Sequence, residues 1–188
     1  MTVQLQVAEA AGWRALLTCG QQSACTFLPP EVEHHLVSLL YRRLGSAAGR
    51  NREQAMHFAR QLVADTRSER QDLVAVGEHC LLFSGLFPDH APRQGMTLAS
   101  FVQTGQQAWR DHAARVGAEE GDRYRMLADQ YIRMLDVLLA VHDMNQQATT
   151  LDALSAWSLW HDTGSTHGWQ VLRRLTPSLP GEVTLARH

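Results

Sequence analysis

The sequence contains no lysine, because all 17 of its basic residues are arginine. Without lysine the chain cannot form a lysine Schiff base or use a lysine general base, and it cannot supply the phosphate-binding lysine of a P-loop. Isoleucine and asparagine are almost as rare, since only Ile132, Asn51 and Asn145 represent them. The shortage of these three residue types is typical of a GC-rich coding sequence.

Excess charge and long apolar runs are also lacking. The formal net charge is −2, so the chain has no basic excess of the kind that nucleic-acid binding needs. No window reaches the roughly 18 consecutive apolar residues of a membrane span. Residues 1–11 lack the basic start and the unbroken apolar segment of a secretory signal. We therefore expect neither nucleic acid nor a membrane among the partners.

Cysteine is scarce, with three residues at Cys19, Cys25 and Cys80. Their number is odd and their spacing does not match that of a metal site, which in a chain without a secretory signal indicates reduced thiols. We expect a cytoplasmic protein.

An apolar content of 45% over 188 residues is enough for one core, so we expect a single domain over 1–188.

Apolar residues recur with helical spacing along most of the chain, which predicts an all-α bundle. The pattern gives about seven helices, over residues 29–44, 52–66, 68–87, 97–116, 119–147, 150–162 and 165–175. Proline at the start of the first of these and the Arg42–Arg43 pair at its end are typical helix boundaries. Residues 1–27 and 176–188 are expected to be less regular.

The predicted helix over 68–87 is expected to lie at the centre of the fold. Ser68 and Gln71 have the spacing of a capping box, and the stretch from Cys80 to Phe87 is apolar on nearly every side. Gly77, Gly85 and Gly105 fall inside predicted helices, where glycine costs about 1 kcal/mol relative to alanine. Close approach of a neighbouring backbone or a bulky ring explains that cost, and space for a ligand is the alternative.

Two further patterns give expectations about the surface. Four aspartates are spaced seven residues apart opposite the apolar seam of the predicted helix 119–147, which predicts a solvated face: Asp122, Asp129, Asp136 and Asp143. Residues 2–7 alternate between polar and apolar, as residues 183–185 do, which predicts strand-like arms. An arm that pairs with a second subunit is a simple route to a homodimer, and we expect the protein to be a homodimer.

Three segments resemble a family of uncharacterised bacterial proteins. Residues 77–89 read GEHCLLFSGLFPD, residues 101–109 read FVQTGQQAW, and residues 159–165 read LWHDTGS, with RRL following at 173–175. Together they are similar to an all-helical family in which the first segment reads GxxxLFxSGxFPD. The resemblance covers about 28–175. It implies a helical fold and a bacterial origin, and it assigns no activity or catalytic residue.

Ten histidines raise the question of a metal site. Glu31 and His34 have the Glu-x-x-His spacing of di-iron bundles, but such a site needs two of these motifs and two more glutamates. Four other residues fall on inward-facing positions and are the remaining candidates for a metal: Glu78, His79, His112 and His142. A lone histidine on an apolar face usually belongs to the core and makes one hydrogen bond. We therefore expect no metal and no cofactor.

The tryptophans near the C-terminus are the last candidates. Trp157, Trp160 and Trp169 are either core residues of the last two helices or, where exposed, anchors for a partner. We interpret the chain as a protein that binds a protein partner or a small ligand, as a homodimer, rather than as an enzyme. The alternative is a metal- or cofactor-dependent helical enzyme that uses inward-facing histidines and carboxylates.

Overall fold

The computed structural model describes residues 2–44, 72–90, 97–146 and 149–176, with the side chains of the first range described from residue 11. Within these ranges the chain forms α-helices and one short 3₁₀ turn at Pro88–His90, with no strand, so the predicted all-α class is confirmed. The helices are α1 (Thr2–Ser23), α2 (Pro30–Leu44), α3 (Leu73–Leu86), α4 (Leu98–Ala113), α5 (Ala118–Asp129), α6 (Tyr131–Gln146), α7 (Ala153–Thr163) and α8 (Thr166–Leu175).

Helix boundaries follow local capping chemistry. Helix α2 begins at Pro30 and carries Arg42 and Arg43 in its last turn, as predicted. The Thr97 hydroxyl accepts a hydrogen bond from the backbone nitrogen of Ser100 and caps α4. The predicted start of the central helix at Ser68 is wrong, because α3 begins at Leu73 with Asp72 as its N-cap. The predicted helix over 52–66 lies outside the described residues.

Two helices form the centre of the molecule. Helix α3 is buried without a break from Gly77 to Gly85, which confirms its predicted central position. Helix α6 is buried in the same way from Met134 to Val141. The two pack against each other, α4 covers α3, and α1 covers α6. Neighbouring elements therefore cover both helices on nearly every side over these stretches, and a polar residue within them is expected to find a partner in the core.

Glycines let the helices approach the aromatic rings of the core. A Cβ atom on Gly77 would lie 2.2 Å from Nε1 of Trp109, and one on Gly105 would lie 2.0 Å from the Tyr131 hydroxyl. At Gly85 the neighbour is the Cβ atom of Leu138, at 2.5 Å. Side chains therefore fill the space beside all three glycines, as expected from the cost of glycine in a helix.

We expect Gly105→Ala to destabilise the protein by about 1–3 kcal/mol, although alanine favours a helix, because the added methyl overlaps the Tyr131 hydroxyl. That hydroxyl donates a hydrogen bond to the Gly77 carbonyl at 2.9 Å, which the displaced ring would lose. Urea denaturation measures the loss. Gly12→Ala is the matched control, since nothing lies within 4 Å of its Cβ position. A stabilised Gly105→Ala variant would contradict this packing.

The predicted long helix over 119–147 is divided, and its solvated aspartate face is wrong. Gln130 separates α5 from α6, with φ −92° and ψ 4°. The two halves therefore do not share one face. Asp122 and Asp129 are exposed on α5, whereas Asp136 is 1% exposed and Asp143 is partly buried on α6.

The N-terminal segment is a helix and not a strand-like arm. Helix α1 begins at Thr2 and continues to Ser23, so the expected strand-like arm over 2–7 is wrong, and the expectation of a less regular segment over 1–27 is wrong for residues 2–23. A helix satisfies its own backbone hydrogen bonds, which an unpaired strand cannot do. Trp13 and Leu17 are buried in the core and attach the helix to α2 and α6. The predicted C-terminal arm at 183–185 lies outside the described residues.

Candidate functional site

Helices α7 and α8 form a hairpin whose turns are specified locally. The Asp152 carboxylate accepts a hydrogen bond from the backbone nitrogen of Ser155 at 2.7 Å and caps α7. Gly164 then adopts φ 77°, the left-handed conformation that ends a helix with least strain in glycine. Ser165 immediately caps α8 by accepting from the backbone nitrogen of Gly168 at 2.9 Å. The short connection keeps the two helices in direct contact.

Three tryptophans lie along this hairpin. The ring centroids of Trp160 and Trp169 are 4.7 Å apart, so the two helices meet through aromatic contact. Trp157 stands one turn before Trp160, is 44% exposed and stacks on the His161 ring at 4.6 Å. Trp160 and Trp169 are half-buried. The tryptophans named from the sequence thus form the contact between α7 and α8 and one exposed aromatic surface.

Arginines flank the aromatic residues. The guanidinium carbon of Arg173 lies 6.0 Å from the ring centroid of Trp169, within the range of a cation–π interaction. Arg173 and Arg174 line, with Trp169 and Gln170, a surface depression of about 410 Å³. No carboxylate within the described ranges forms an ion pair with either arginine. We call this surface, formed by Leu154, Trp157, Trp160, Trp169, Arg173 and Arg174, the Trp–Arg surface.

A buried polar junction attaches α8 to α6. The Ser165 hydroxyl donates to Asp136 at 2.5 Å, and the backbone nitrogen and hydroxyl of Thr166 donate to the other carboxylate oxygen at 2.9 and 2.7 Å. Burial raises the pKa of Asp136, while the hydrogen bonds from Ser165 and Thr166 oppose that shift. The carboxylate therefore lies at the N-terminus of α8, where backbone N–H groups stabilise an acceptor.

A second contact extends the junction. Nε2 of His167 lies 3.1 Å from Asp143, which also accepts from the backbone nitrogen of Thr150 at 3.1 Å. Burial tends to raise the pKa of Asp143, but the hydrogen bonds from His167 and Thr150 outweigh it and lower that pKa. The Gln170 amide donates to the carbonyl of Ala24 at 3.2 Å, so α8 is also held to the turn after α1.

The sequence-derived metal candidates make separate contacts. The Glu78 carboxylate is buried and pairs with Arg42 and Arg43 of α2, at 3.1 Å for Arg43. His79 is buried with its ring stacked on Phe83, the centroids being 5.9 Å apart. Both residues therefore contribute to the packing around α3.

The other two metal candidates, His112 and His142, lie on α4 and α6. Nε2 of His112 is 3.2 Å from Glu120, and its ring packs against Tyr124. Burial lowers the pKa of His142, against the opposing effect of Asp143 and Asp89. Glu31 and His34 are exposed on α2. Among the residues that the structure describes, no three histidine, cysteine or carboxylate side chains gather in a geometry that holds a metal ion.

The nucleophilic side chains of the core are shielded. Burial raises the pKa of Cys80 to about 12, which keeps the thiol protonated. Ser84 and Ser165 are 0% exposed, and Ser165 is engaged by Asp136. Cys19 and Cys25 are exposed thiols. The Trp–Arg surface, in contrast, is open to solvent and combines aromatic rings with guanidinium groups. It therefore suits recognition of apolar and acidic groups.

Within the described ranges, none of the helices combines the length and the apolar character needed to cross a membrane. Comparison of the chain with models of protein families, with curated proteins and with solved structures found no match.

Proposed function

We propose that this is a non-catalytic binding protein whose Trp–Arg surface takes an acidic segment of a protein partner that also carries an apolar side chain. The observation that carries the proposal is the row of aromatic rings on the hairpin, in which Trp157 is 44% exposed and Trp160 contacts Trp169. Arg173 lies 6.0 Å from the Trp169 ring, and no described carboxylate pairs with Arg173 or Arg174. Tryptophan and arginine are the residue types most enriched among the energetically dominant residues of protein interfaces.

Apolar exposure on α7 supports a partner that covers this helix. Leu154 is 76% exposed and lies one turn before Trp157, so the two side chains form a row along the helix. A large apolar side chain in water contributes about 1.5–3 kcal/mol when a partner buries it. The partner therefore needs at least one apolar side chain that faces this row.

Charge on α8 supports an acidic partner. Arg173 and Arg174 lie in the last turn of the helix. Among the residues that the structure describes, the Nε group of Arg174 donates only within its own helix, to the Gln170 carbonyl at 3.4 Å. A guanidinium group binds a carboxylate through two parallel hydrogen bonds. Aspartate or glutamate in the partner would accept the hydrogen bonds that these guanidinium groups can donate.

The anchoring of the hairpin supports a preformed surface. Asp136 holds the start of α8, and the Trp160–Trp169 contact holds its middle against α7. Binding to a preformed surface loses less conformational entropy than binding that has to order it.

The surface is tested by panning a displayed random-peptide library on the full-length protein. We expect enriched peptides to combine aspartate or glutamate with an apolar residue, and Trp157→Ala to weaken their binding about tenfold or more. Phe27→Ala is the matched control, because Phe27 is 74% exposed on another part of the chain. Peptides without acidic residues, or peptides that bind Trp157→Ala and wild type equally, would overturn the proposal.

Two expectations from the sequence accompany this proposal and stay predictions: a cytoplasmic location and a homodimer. Light scattering of the purified protein gives the mass in solution. A dimer that dissociates on Trp157→Ala would assign the Trp–Arg surface to a second copy of the chain and would contradict the acidic partner.

The alternative, a metal- or cofactor-dependent enzyme, is tested separately. Elemental analysis of the purified full-length protein measures bound iron, manganese and zinc. A stoichiometric metal that is lost on replacing Glu78, His112 or His142 would support the enzyme and count against a purely binding role.

A further inference from the structure

The exposed Trp157 ring is stacked on His161, which lies one turn further along α7. The two ring centroids are 4.6 Å apart and the ring planes are inclined by 14°, so the imidazole covers part of one face of the indole. The His161 side chain is itself 58% exposed. Because both rings are open to solvent, a lasting stack needs a further contact that restricts the rotamers of His161.

The Asp162 side chain supplies that contact. Nδ1 of His161 lies 2.8 Å from one oxygen of the Asp162 carboxylate. The other carboxylate oxygen accepts from the Ser158 hydroxyl at 2.9 Å, and the Asp162 carbonyl accepts from the Gln103 amide of α4 at 3.2 Å. Asp162 is therefore held by groups from two helices, and it holds the imidazole in turn.

The charge of Asp162 suits a protonated imidazole. Asp162 lies in the last turn of α7, where the helix dipole disfavours a carboxylate and favours a cation. Hydrogen bonds from His161 and Ser158 lower the pKa of Asp162, so its carboxylate stays ionised over the range of about pH 5 to 8 in which histidines commonly titrate. A proton taken up by His161 is thus matched by Asp162 and lies against the Trp157 ring, as in a cation–π pair.

Among the described residues, Asp162 is the charged group that contacts His161. Helices α4 and α8 pack against α7, and the side chain that α4 presents at this point is the neutral Gln103. The charged or titratable residues of these two helices make their described contacts elsewhere: Arg110, Asp111 and His112 on α4, and His167, Arg173 and Arg174 on α8. A change of charge on His161 therefore acts first on Asp162 and Trp157.

We propose that His161 and Asp162 are positioning residues that fix the Trp157 ring on the Trp–Arg surface, and that protonation of His161 strengthens binding there. A ring that is already fixed loses less conformational entropy when a partner covers it. The added charge also attracts the carboxylates of an acidic segment. This inference rests on the binding role proposed above and adds its dependence on pH.

The positioning of the ring is tested without a partner, by fluorine NMR of the full-length protein labelled with fluorotryptophan. The Trp157 signal is identified by its loss in Trp157→Phe. We expect this signal to move as the pH is lowered from about 8 to about 5, and to stop moving in His161→Gln. His34→Gln is the matched control, because His34 is exposed on α2. A Trp157 signal that ignores pH, or that moves equally in wild type and His161→Gln, would overturn the proposal.

A second variant tests Asp162 by the same measurement. Asp162→Ala removes the acceptor that holds His161, so we expect the Trp157 signal at neutral pH to shift towards its position in His161→Gln. Asp129→Ala is the control, because Asp129 is an exposed aspartate on α5. Circular dichroism checks that each variant is folded. A Trp157 signal that is the same in wild type and Asp162→Ala would show that Asp162 does not position the ring.

The effect of pH on binding is measured with the acidic peptides selected by panning. We expect wild type to bind them about threefold or more tightly at about pH 6 than at about pH 8, and His161→Gln to bind them equally at both. The same ratio in wild type and His161→Gln would contradict the role of His161 in binding. A panning that selects no acidic peptides would overturn the proposed function together with this pH effect, whereas the fluorine NMR decides the positioning of Trp157 by itself.

Discussion

Asp136→Ala should lower the free energy of unfolding by about 2–4 kcal/mol, because the change removes the acceptor for three donors at the start of α8. The Ser165 hydroxyl is 0% exposed and cannot turn to water. A buried donor that loses its acceptor costs about 1–3 kcal/mol. Chemical denaturation followed by circular dichroism measures the loss.

Asp129→Ala is the matched control for this change. The two aspartates are seven residues apart in sequence, but the Asp129 side chain is 69% exposed and lies 3.8 Å from Arg110, also at the surface. Surface ion pairs of this kind contribute about 0–1 kcal/mol. Equal losses in the two variants would show that Asp136 does not have the buried role assigned to it.

Phe83→Ala should lower the free energy of unfolding by about 3–5 kcal/mol, the usual cost of deleting a buried aromatic side chain. Phe83 is 1% exposed on α3, and its ring lies 5.2 Å from that of Phe101 and 5.9 Å from that of His79. The cavity would open between α3 and α4, where neighbouring rings cannot close it without leaving their own contacts. Denaturant titration of the purified variant gives the value.

Phe27→Ala serves as the control for Phe83→Ala, because the same ring is removed from a position that is 74% exposed. We expect it to change stability by less than about 0.5 kcal/mol. A loss below about 1 kcal/mol for Phe83→Ala would place α3 outside the centre of the core.

Helix positions could be predicted where the signal is local. The start of α4 directly after its cap Thr97 agrees with the predicted range 97–116, because capping depends on groups within a few residues. The start of α7 at Ala153, after its cap Asp152, lies three residues later than predicted. The packing of glycines against rings could also be expected, since glycine inside a helix costs stability unless a neighbour needs the space. The identity of each ring, such as Trp109 beside Gly77, depends on the tertiary structure.

The environment of a residue on a long periodic segment could not be predicted in the same way. A spacing of seven places four aspartates on one face only if the helix is continuous, and Gln130 interrupts it. The partners of Asp136, Ser165 and Thr166, are 29 and 30 residues further along the chain. The only local signal is the Thr-Gly-Ser-Thr segment, which specifies a helix end and a helix start but no acceptor on α6.

The location of the candidate surface could not be predicted from the sequence either. The tryptophans were evident from composition, but whether they lie in the core or at the surface depends on how α8 docks, and the docking depends on Asp136. The contact between His35 on α2 and Arg123 on α5 joins residues that are 88 positions apart. No spacing rule joins such residues.

Photo-crosslinking from position 157 in the organism that makes this chain tests the central claim, that the Trp–Arg surface binds an acidic protein segment, most directly. A photoreactive residue at position 157 should crosslink one partner through an acidic segment, identified by mass spectrometry. Arg173→Glu with Arg174→Glu should abolish the crosslink, and the same probe at position 27 should not give it. An identical pattern from both positions, a crosslink that survives the charge reversal, or a crosslink only to a second copy of the chain would contradict the claim.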